Sequence, residues 1–246
     1  MARYDFRTPR LHISADLAAG ATVIPGESAV HYLRHVLRLE AGAKILVFNG
    51  RDGEWEARLA LPSKRDVKLE ILAQTRPQPS ASPLHYAFAP VKQARFDFIV
   101  QKAVEMGAGR LTPVTTQHTQ VTRVNMERMR ANVIEAAEQC GILAVPEIEE
   151  VLSFPEWLAA IPSERVVVFC DEDAERADPL RALAAAPEGP VTLIVGPEGG
   201  FHAKEREALL AHDRVVRLSL GPRILRADTA AVAALAILQA VRGDWR

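Results

Sequence analysis

The sequence predicts an α/β protein in two parts: a small β-rich, barrel-like domain, and a larger domain built on a largely parallel sheet. Three observations carry this. Residues 1–75 hold short apolar runs separated by turn residues, with one helical stretch among them. Residues 76–83, Arg-Pro-Gln-Pro-Ser-Ala-Ser-Pro, hold three prolines and no large apolar side chain, the composition of a stiff linker. From Leu84 onward strand-like and helix-like segments alternate. The expected parts are residues 1–75, the linker 76–83 and residues 84–246.

Size and composition agree with this division. A chain of 246 residues is long for one domain and comfortable for two. Its 48% hydrophobic and 25% charged residues are those of a folded protein with a sizeable core. No run approaches the ~20 apolar residues of a membrane span. The start, Met1-Ala2-Arg3-Tyr4-Asp5, lacks the apolar centre of a signal peptide. The expectation is a cytoplasmic protein with no membrane partner. Cys140 and Cys170 are far apart, which suggests neither a disulfide framework nor a Cys-x-x-Cys metal site. Both are expected as small buried hydrophobes.

In the front part, Arg10 to Ile13, Ala21 to Ile24, Lys44 to Phe48, Trp55 to Leu61 and Val67 to Leu72 read as strands. Asn49-Gly50 is a good turn pair after the third run. Ser28 can cap the helix, which places Val30, Leu33, Val36 and Leu37 on one face. His31 and His35 lie four apart on it, but no third ligand follows and no metal is expected.

Behind the linker, Leu84 to Ala89 reads as a strand. Phe96, Ile99, Ala103 and Met106 then recur at helical spacing, with Gly107 as the stop. Leu111 to Thr115 is the next strand, and Asn125 can cap a helix that Gly141 ends. Val166 to Cys170 forms a strand that breaks into Asp171-Glu172-Asp173. This acidic triplet is either a border of a ligand pocket or a solvated turn. Two further apolar runs each break into Gly-Pro. Val191 to Val195 runs into Gly196-Pro197-Glu198-Gly199-Gly200-Phe201. A helical segment later, Val215 to Leu220 runs into Gly221-Pro222-Arg223-Ile224-Leu225-Arg226-Ala227-Asp228. The last helix, Asp228 to Val241, carries mostly small side chains, among them Ala230, Ala231, Ala233, Ala234, Ala236 and Ala240.

The two Gly-Pro loops hold the chemistry. Open α/β sheets bind ligands at the carboxyl ends of their strands. Each proline fixes its own φ and disfavours helix for the glycine before it. Gly199 and Gly200 expose bare backbone to a flat ligand. One loop brings an acid, and the other brings two arginines and an acid.

The pair GPEGGF and LGPRILRADTA resembles the signature of the SPOUT methyltransferases, and within them the 16S rRNA uridine N3-methyltransferase family. Further segments fit the same family. These are Gln101-Lys102-Ala103 with Glu105-Met106-Gly107 and Thr112-Pro113, and Ala136-Ala137-Glu138-Gln139-Cys140-Gly141 with Val145-Pro146-Glu147-Ile148. Arg7-Thr8-Pro9-Arg10 and His35-Val36-Leu37-Arg38 complete the set, so the likeness spans nearly the whole chain. It implies a trefoil-knotted α/β methyltransferase domain behind a PUA-like RNA-binding barrel. It also implies a homodimer, S-adenosylmethionine as cofactor, and the 16S rRNA of the small ribosomal subunit as partner.

The resemblance places the cofactor at Gly196, Pro197, Glu198, Gly199 and Gly200 of one loop, and at Leu218, Leu220, Gly221, Ile224 and Leu225 around the other, with Ala230 behind. RNA contact falls to Arg7, Arg10, Arg34, Arg38 and Arg223. Deprotonated uridine N3 spreads charge onto O2 and O4, where an arginine can act like an oxyanion donor. Arg226 is the first candidate, with Arg10 and Arg223 as alternates. Glu198 and Asp228 are the carboxylates available for the proton. Asp228 has a second reading as N-cap of the last helix. Glu198 has one as a brace of its loop, and Arg223 as an acid's ion-pair partner. Several positions depart from the family pattern: Ala227-Asp228 for Thr-Glu, Ile142 for Arg, Gln117-His118-Thr119 for a Glu-Arg pair, and His202 for a better helix cap.

Charge distribution supports an RNA partner although the net charge is −1. Residues 1–130 hold 19 Lys and Arg against 12 Asp and Glu, while the remainder holds 11 against 19. A basic front is the footprint of phosphate contact. Two other readings stand beside this one. One is a SPOUT enzyme acting elsewhere on RNA, such as a tRNA ribose 2′-OH, and the other is a non-catalytic RNA-binding assembly factor. A phosphate-binding NTPase is excluded, because no Gly-x-x-x-x-Gly-Lys-Ser/Thr occurs.

Overall fold

The computed structural model describes residues 5, 7–63, 66–121, 123–174 and 178–245. The chain forms two compact units. The first comprises Met1–Ser80 with Ala137–Val145, the second Ala81–Ala136 with Pro146–Arg246.

The first unit contains β1 (Arg10–His12), β2 (Thr22–Val23), α1 (Glu27–His31), β3 (Lys44–Phe48), β4 (Glu54–Ala60) and β5 (Lys68–Arg76). They form one sheet in the order β1-β3-β4-β5-β2. β1 runs parallel to β3, and the other pairs are antiparallel. The alternating strands send Ile45, Val47, Ala57, Leu59, Leu69 and Ile71 into a core closed by Leu33. Each valine, leucine or isoleucine among them contributes about 1.5–3 kcal/mol on burial.

The helix differs from its expected form. Its N-cap is Gly26, not Ser28, with no side-chain hydrogen bond. It runs on as a π-helical turn over Tyr32–Val36, where the Leu37 N–H reaches back five residues to Tyr32 O at 2.9 Å. That wider turn rotates Val36 off the buried face and leaves it 58% exposed. Arg38 ends it in the left-handed region at φ +53°, and the Leu39 N–H donates to Leu33 O at 3.0 Å.

The second unit is a parallel sheet covered on both faces. Its strands are β6 (His85–Phe88), β7 (Arg110–Thr115), β8 (Glu147–Ile148), β9 (Leu152–Ser153), β10 (Val166–Cys170), β11 (Val191–Val195) and β12 (Val215–Leu218). The order is β12-β10-β11-β6-β7-β8, with β9 also on β7. Its helices are α2 (Gln93–Glu105), α3 (Met126–Cys140), α4 (Phe154–Ala159), α5 (Pro179–Ala184), α6 (Ala203–Leu210) and α7 (Ala227–Arg242). The last turn of α3 counts with the first unit. One face buries Phe154, Trp157, Phe169, Ile194 and Leu209. On the other, α7 packs on α2, α5 and β11, and its small residues Ala230, Ala231 and Ala234 are buried there.

Asn125 caps α3 as expected, its Oδ1 accepting from Arg128 N at 3.0 Å. The sequence reading did not anticipate α4 and α5. Both carry readable caps, Ser153 with Glu156 and Asp178 with Pro179. Cys140 is exposed rather than buried, while burial pushes the Cys170 thiol up to about 12. Among the described residues no helix is long and apolar enough to cross a membrane.

Candidate active site

Three parallel strand ends lie side by side in the second unit. In the order β12, β10, β11, Leu218 is level with Cys170, and Phe169 is level with Ile194. The two Gly-Pro loops therefore leave the same edge of the sheet, as the sequence implies. They do not follow adjacent strands, because the chain from β11 passes β10 to reach β12. The turn between them belongs to the acidic triplet.

In the first loop, Gly200 N donates to Pro197 O at 2.9 Å, closing a turn that puts Gly200 at φ +67°. A Cβ on Gly200 would collide with the Glu172 carboxylate, and one on Gly196 would lie 2.8 Å from the Phe201 ring. Over Gly199 sits His118, whose Cβ would be 3.3 Å from an added methyl group. The His118 Nδ1 lies 3.0 Å from Gly199 O and 3.3 Å from Gly200 O. Glu205 accepts from Gln117 N at 2.8 Å and from His202 N at 3.0 Å. His202, expected as a poor cap, does start α6, its Nδ1 accepting from Lys204 N at 3.3 Å.

The second loop opens on Leu218, whose side chain is buried and whose carbonyl accepts from Asp171 N at 3.2 Å. Leu218 fixes the start of the loop and offers no side-chain surface. Leu220 and Gly221 line a mostly apolar cleft of about 380 Å³ with Ala233 and Ile237 of α7. That volume falls in the range of small-molecule sites, about 300–1,000 Å³. Gly221 has φ +97°, and a Cβ there would meet nothing within 4 Å, so conformation rather than space requires the glycine. Ile224 stands 95% exposed beside half-buried Leu225. The exposed side chains of Arg223 and Arg226 have no ion pair or hydrogen bond among the described residues.

Arg226 is itself the N-cap residue of α7, with φ −68° and ψ 155°, and its side chain makes no cap bond. A cation at a helix N-terminus opposes the helix dipole, so it adds nothing to helix stability. Asp228 is therefore not the N-cap. It lies in the first turn, where its carboxylate accepts from Thr229 N at 2.8 Å and favours the dipole. Arg95, which no sequence motif marks, donates to Glu198 at 3.0 Å and lies 3.9 Å from Asp228. One guanidinium thus joins the acids of the two loops.

Within the acidic triplet Glu172 and Asp173 form an exposed turn, as one expectation has it, whereas Asp171 turns inward. Asp171 is buried and accepts from Arg217 Nε at 2.7 Å and from Arg206 at 3.1 and 3.2 Å. Burial alone would raise its carboxyl, but the bonds from Arg206 and Arg217 outweigh it and hold it below the usual carboxylate range. It pins the β10, β12 and α6 ends together.

In the first unit Arg10 requires a correction. The sequence suggests a uridine or phosphate contact, but the side chain is buried against Glu54 at 2.6 Å. Its other nitrogens donate to Asp5 O at 3.1 Å and Glu138 O at 3.4 Å. Glu54 also takes Arg76 at 2.6 Å and Thr75 at 2.8 Å. Burial raises the Glu54 carboxyl, and the hydrogen bonds from Arg76, Arg10 and Thr75 more than reverse that. Arg10 is a buried structural cation. Arg7 and Arg38 are exposed and Arg34 half-buried, and none of their side chains has a partner among the described residues. The His31 and His35 rings lie 5.0 Å apart.

The chain thus pairs a parallel α/β unit carrying two glycine loops at one sheet edge with a small β unit carrying exposed arginines. Residues 78–239 match the family described as an RNA methyltransferase domain, and residues 24–72 the one described as an RNA methyltransferase PUA domain. The chain belongs to this RNA methyltransferase family. It is 32% identical to Ribosomal RNA small subunit methyltransferase E of Rickettsia conorii, over 92% of this chain and 93% of that one. The protein of the same name from Bacillus subtilis is 30% identical, over 90% and 92%. The crystal structure of a Ribosomal RNA small subunit methyltransferase E from Neisseria gonorrhoeae, bound to S-adenosyl methionine, superposes with a TM-score of 0.85. It shares 31% identity over 98% of this chain and 100% of that one. The fold is thus an α/β RNA methyltransferase domain with the PUA-like front expected from the sequence.

Proposed function

We propose that this protein methylates N3 of a specific uridine in the 16S rRNA of the small ribosomal subunit, with S-adenosylmethionine as donor. The relatives' names and the cofactor in the Neisseria structure support that reading. The observation that carries it is local: an unpaired Arg226 stands beside two glycine loops at one sheet edge, where it has no structural task.

The residues present fit the cofactor. Gly196, Pro197, Glu198, Gly199 and Gly200 offer backbone, and a Cβ at Gly199 or Gly200 would run into His118 or Glu172 and shift the loop that presents it. Leu220 and Gly221 line the cleft and Ile224 and Leu225 follow them in the same loop, with Leu218 and Ala230 fixing its ends. When bound, the cofactor supplies a methyl group on a sulfonium centre, and transfer then depends on alignment with the nucleophile.

The chain's own residues handle the base and its charge. Arg226 donates to the uridine O2 or O4 as N3 loses its proton. Glu198 or Asp228, oriented by Arg95, takes the proton. Arg223 holds RNA phosphate, as do Arg7, Arg34 and Arg38 of the first unit, residues 1–75 serving as the RNA-binding domain. A homodimer belongs to this reading, and sedimentation at micromolar concentration checks it.

Calorimetry with S-adenosylmethionine tests the assignment. Gly199→Val pushes a branched side chain against His118, and Gly221→Val is strained at φ +97°. Both variants are expected to lose cofactor binding while remaining folded. Unchanged affinity in both overturns the assignment.

A further inference from the structure

We propose that His118 is a positioning residue that fixes the first loop in its cofactor-binding form, an inference that rests on the cofactor reading above. Gly199 and Gly200 give the loop its bare backbone, and with no side chains of their own they add nothing to the Gly200 N–Pro197 O turn bond that closes it. Two consecutive glycines lose more conformational freedom on ordering than any other pair. Something outside the loop must hold it, and the segment after β7 does so.

The attachment has two points. The His118 Nδ1 faces two carbonyls, Gly199 O at 3.0 Å and Gly200 O at 3.3 Å. Carbonyl oxygens only accept, so Nδ1 carries the proton and donates to both. One residue earlier, Gln117 N donates to Glu205 at 2.8 Å, and the other oxygen of that carboxylate accepts from His202 N. Glu205 therefore ties the segment to the start of α6, where the first loop ends. Thr119 stiffens the segment from within, its Oγ1 accepting from Thr116 N at 2.9 Å. The His202 ring stands edge-on to His118 at 5.9 Å and limits its swing.

His118 is exposed, so this bond does little for global stability. Its consequence is local. With the carbonyls of Gly199 and Gly200 turned toward His118, the glycine backbone has one orientation before ligand arrives. Binding then does not have to order it, which is the general route from preorganisation to affinity. The role lies in binding and not in the chemical step.

Calorimetry and single-turnover methylation on the full chain separate the possibilities, with His118→Ala and His118→Asn as variants. Asn places an amide nitrogen where the Nδ1 stands and can donate to the same carbonyls. His118→Ala is expected to weaken S-adenosylmethionine binding by ~3–10-fold, the worth of one hydrogen bond. His118→Asn restores most of it, and the single-turnover rate at saturating cofactor stays at the wild-type value in both. Wild-type protein that fails to bind S-adenosylmethionine overturns the cofactor reading itself. Wild-type binding with unchanged affinity in His118→Ala overturns only the role of His118, as does a loss in the rate constant at saturation with no loss of affinity.

Discussion

Arg95 donates to Glu198 at 3.0 Å, and its Nε lies 3.9 Å from the carboxylate of Asp228. The first pair is exposed on both sides, at 40% and 46%, and an ion pair of that kind contributes about 0–1 kcal/mol to stability. Its effect is to orient two acids that start on different loops. Arg95→Ala is expected to change unfolding free energy by less than about 1 kcal/mol. Its single-turnover methylation is expected to fall ~10–10²-fold, the scale of misplacing a reacting group. Wild-type turnover in this variant removes Arg95 from the site.

Arg10 makes the opposite prediction. Its partner Glu54 is almost wholly buried, so removing the cation leaves a buried carboxylate short of a partner. Breaking a buried pair costs about 3–5 kcal/mol, and Arg76 remains on Glu54 to keep the cost near the lower end. Arg10→Ala should lose about 3 kcal/mol in urea unfolding. A variant of wild-type stability that has lost turnover would return Arg10 to the chemistry.

The contrast between these arginines shows what the sequence can and cannot carry. Gly196, Pro197 and Gly221 are readable because strand periodicity and proline chemistry are local. Arg95 is invisible: its partners lie more than a hundred residues away, and only the sheet order brings Glu198 and Asp228 to it. Arg10 misleads for the same reason, since its motif position says nothing of Glu54 on another strand. The strand order has a similar cause. Crossovers decide which ends are neighbours, so Asp171 lies between the loops rather than beside them. Short α4 and α5 were missed although Ser153 and Asp178 mark their starts, because six residues hold too little periodicity.

His85 gives a pH dependence. Burial, followed by the charges of Arg165 and Arg110, pushes its imidazole down to about 4 from an ordinary 6.5. The folded protein therefore holds it neutral where the unfolded chain takes up a proton. Its contribution to stability is full above pH 6.5 and is lost as pH falls toward 4. Glu54 and Asp171, held below the usual carboxylate range, matter only at lower pH. Urea unfolding at pH 7 and pH 5 should show a smaller acid loss in His85→Gln than in wild type. Equal losses contradict the assignment.

Arg226 is where the reaction is expected to be most sensitive. Arg226→Ala should keep its fold and cofactor affinity and lose ~10²–10³ in single-turnover rate, the scale of removing one oxyanion donor. Arg226→Lys recovers only part, because an ammonium cannot supply two parallel hydrogen bonds. A loss of cofactor affinity equal to the loss of rate would move Arg226 into the binding site.

The most direct measurement is nucleoside mass analysis of 16S rRNA from unmodified small subunits, incubated with the purified protein and S-adenosylmethionine. The expected result is 3-methyluridine at a single position, absent when Arg226→Ala replaces the wild type over the same time. Methylation at a ribose 2′-OH, or no methylated nucleoside at all, contradicts uridine N3 as the site of reaction.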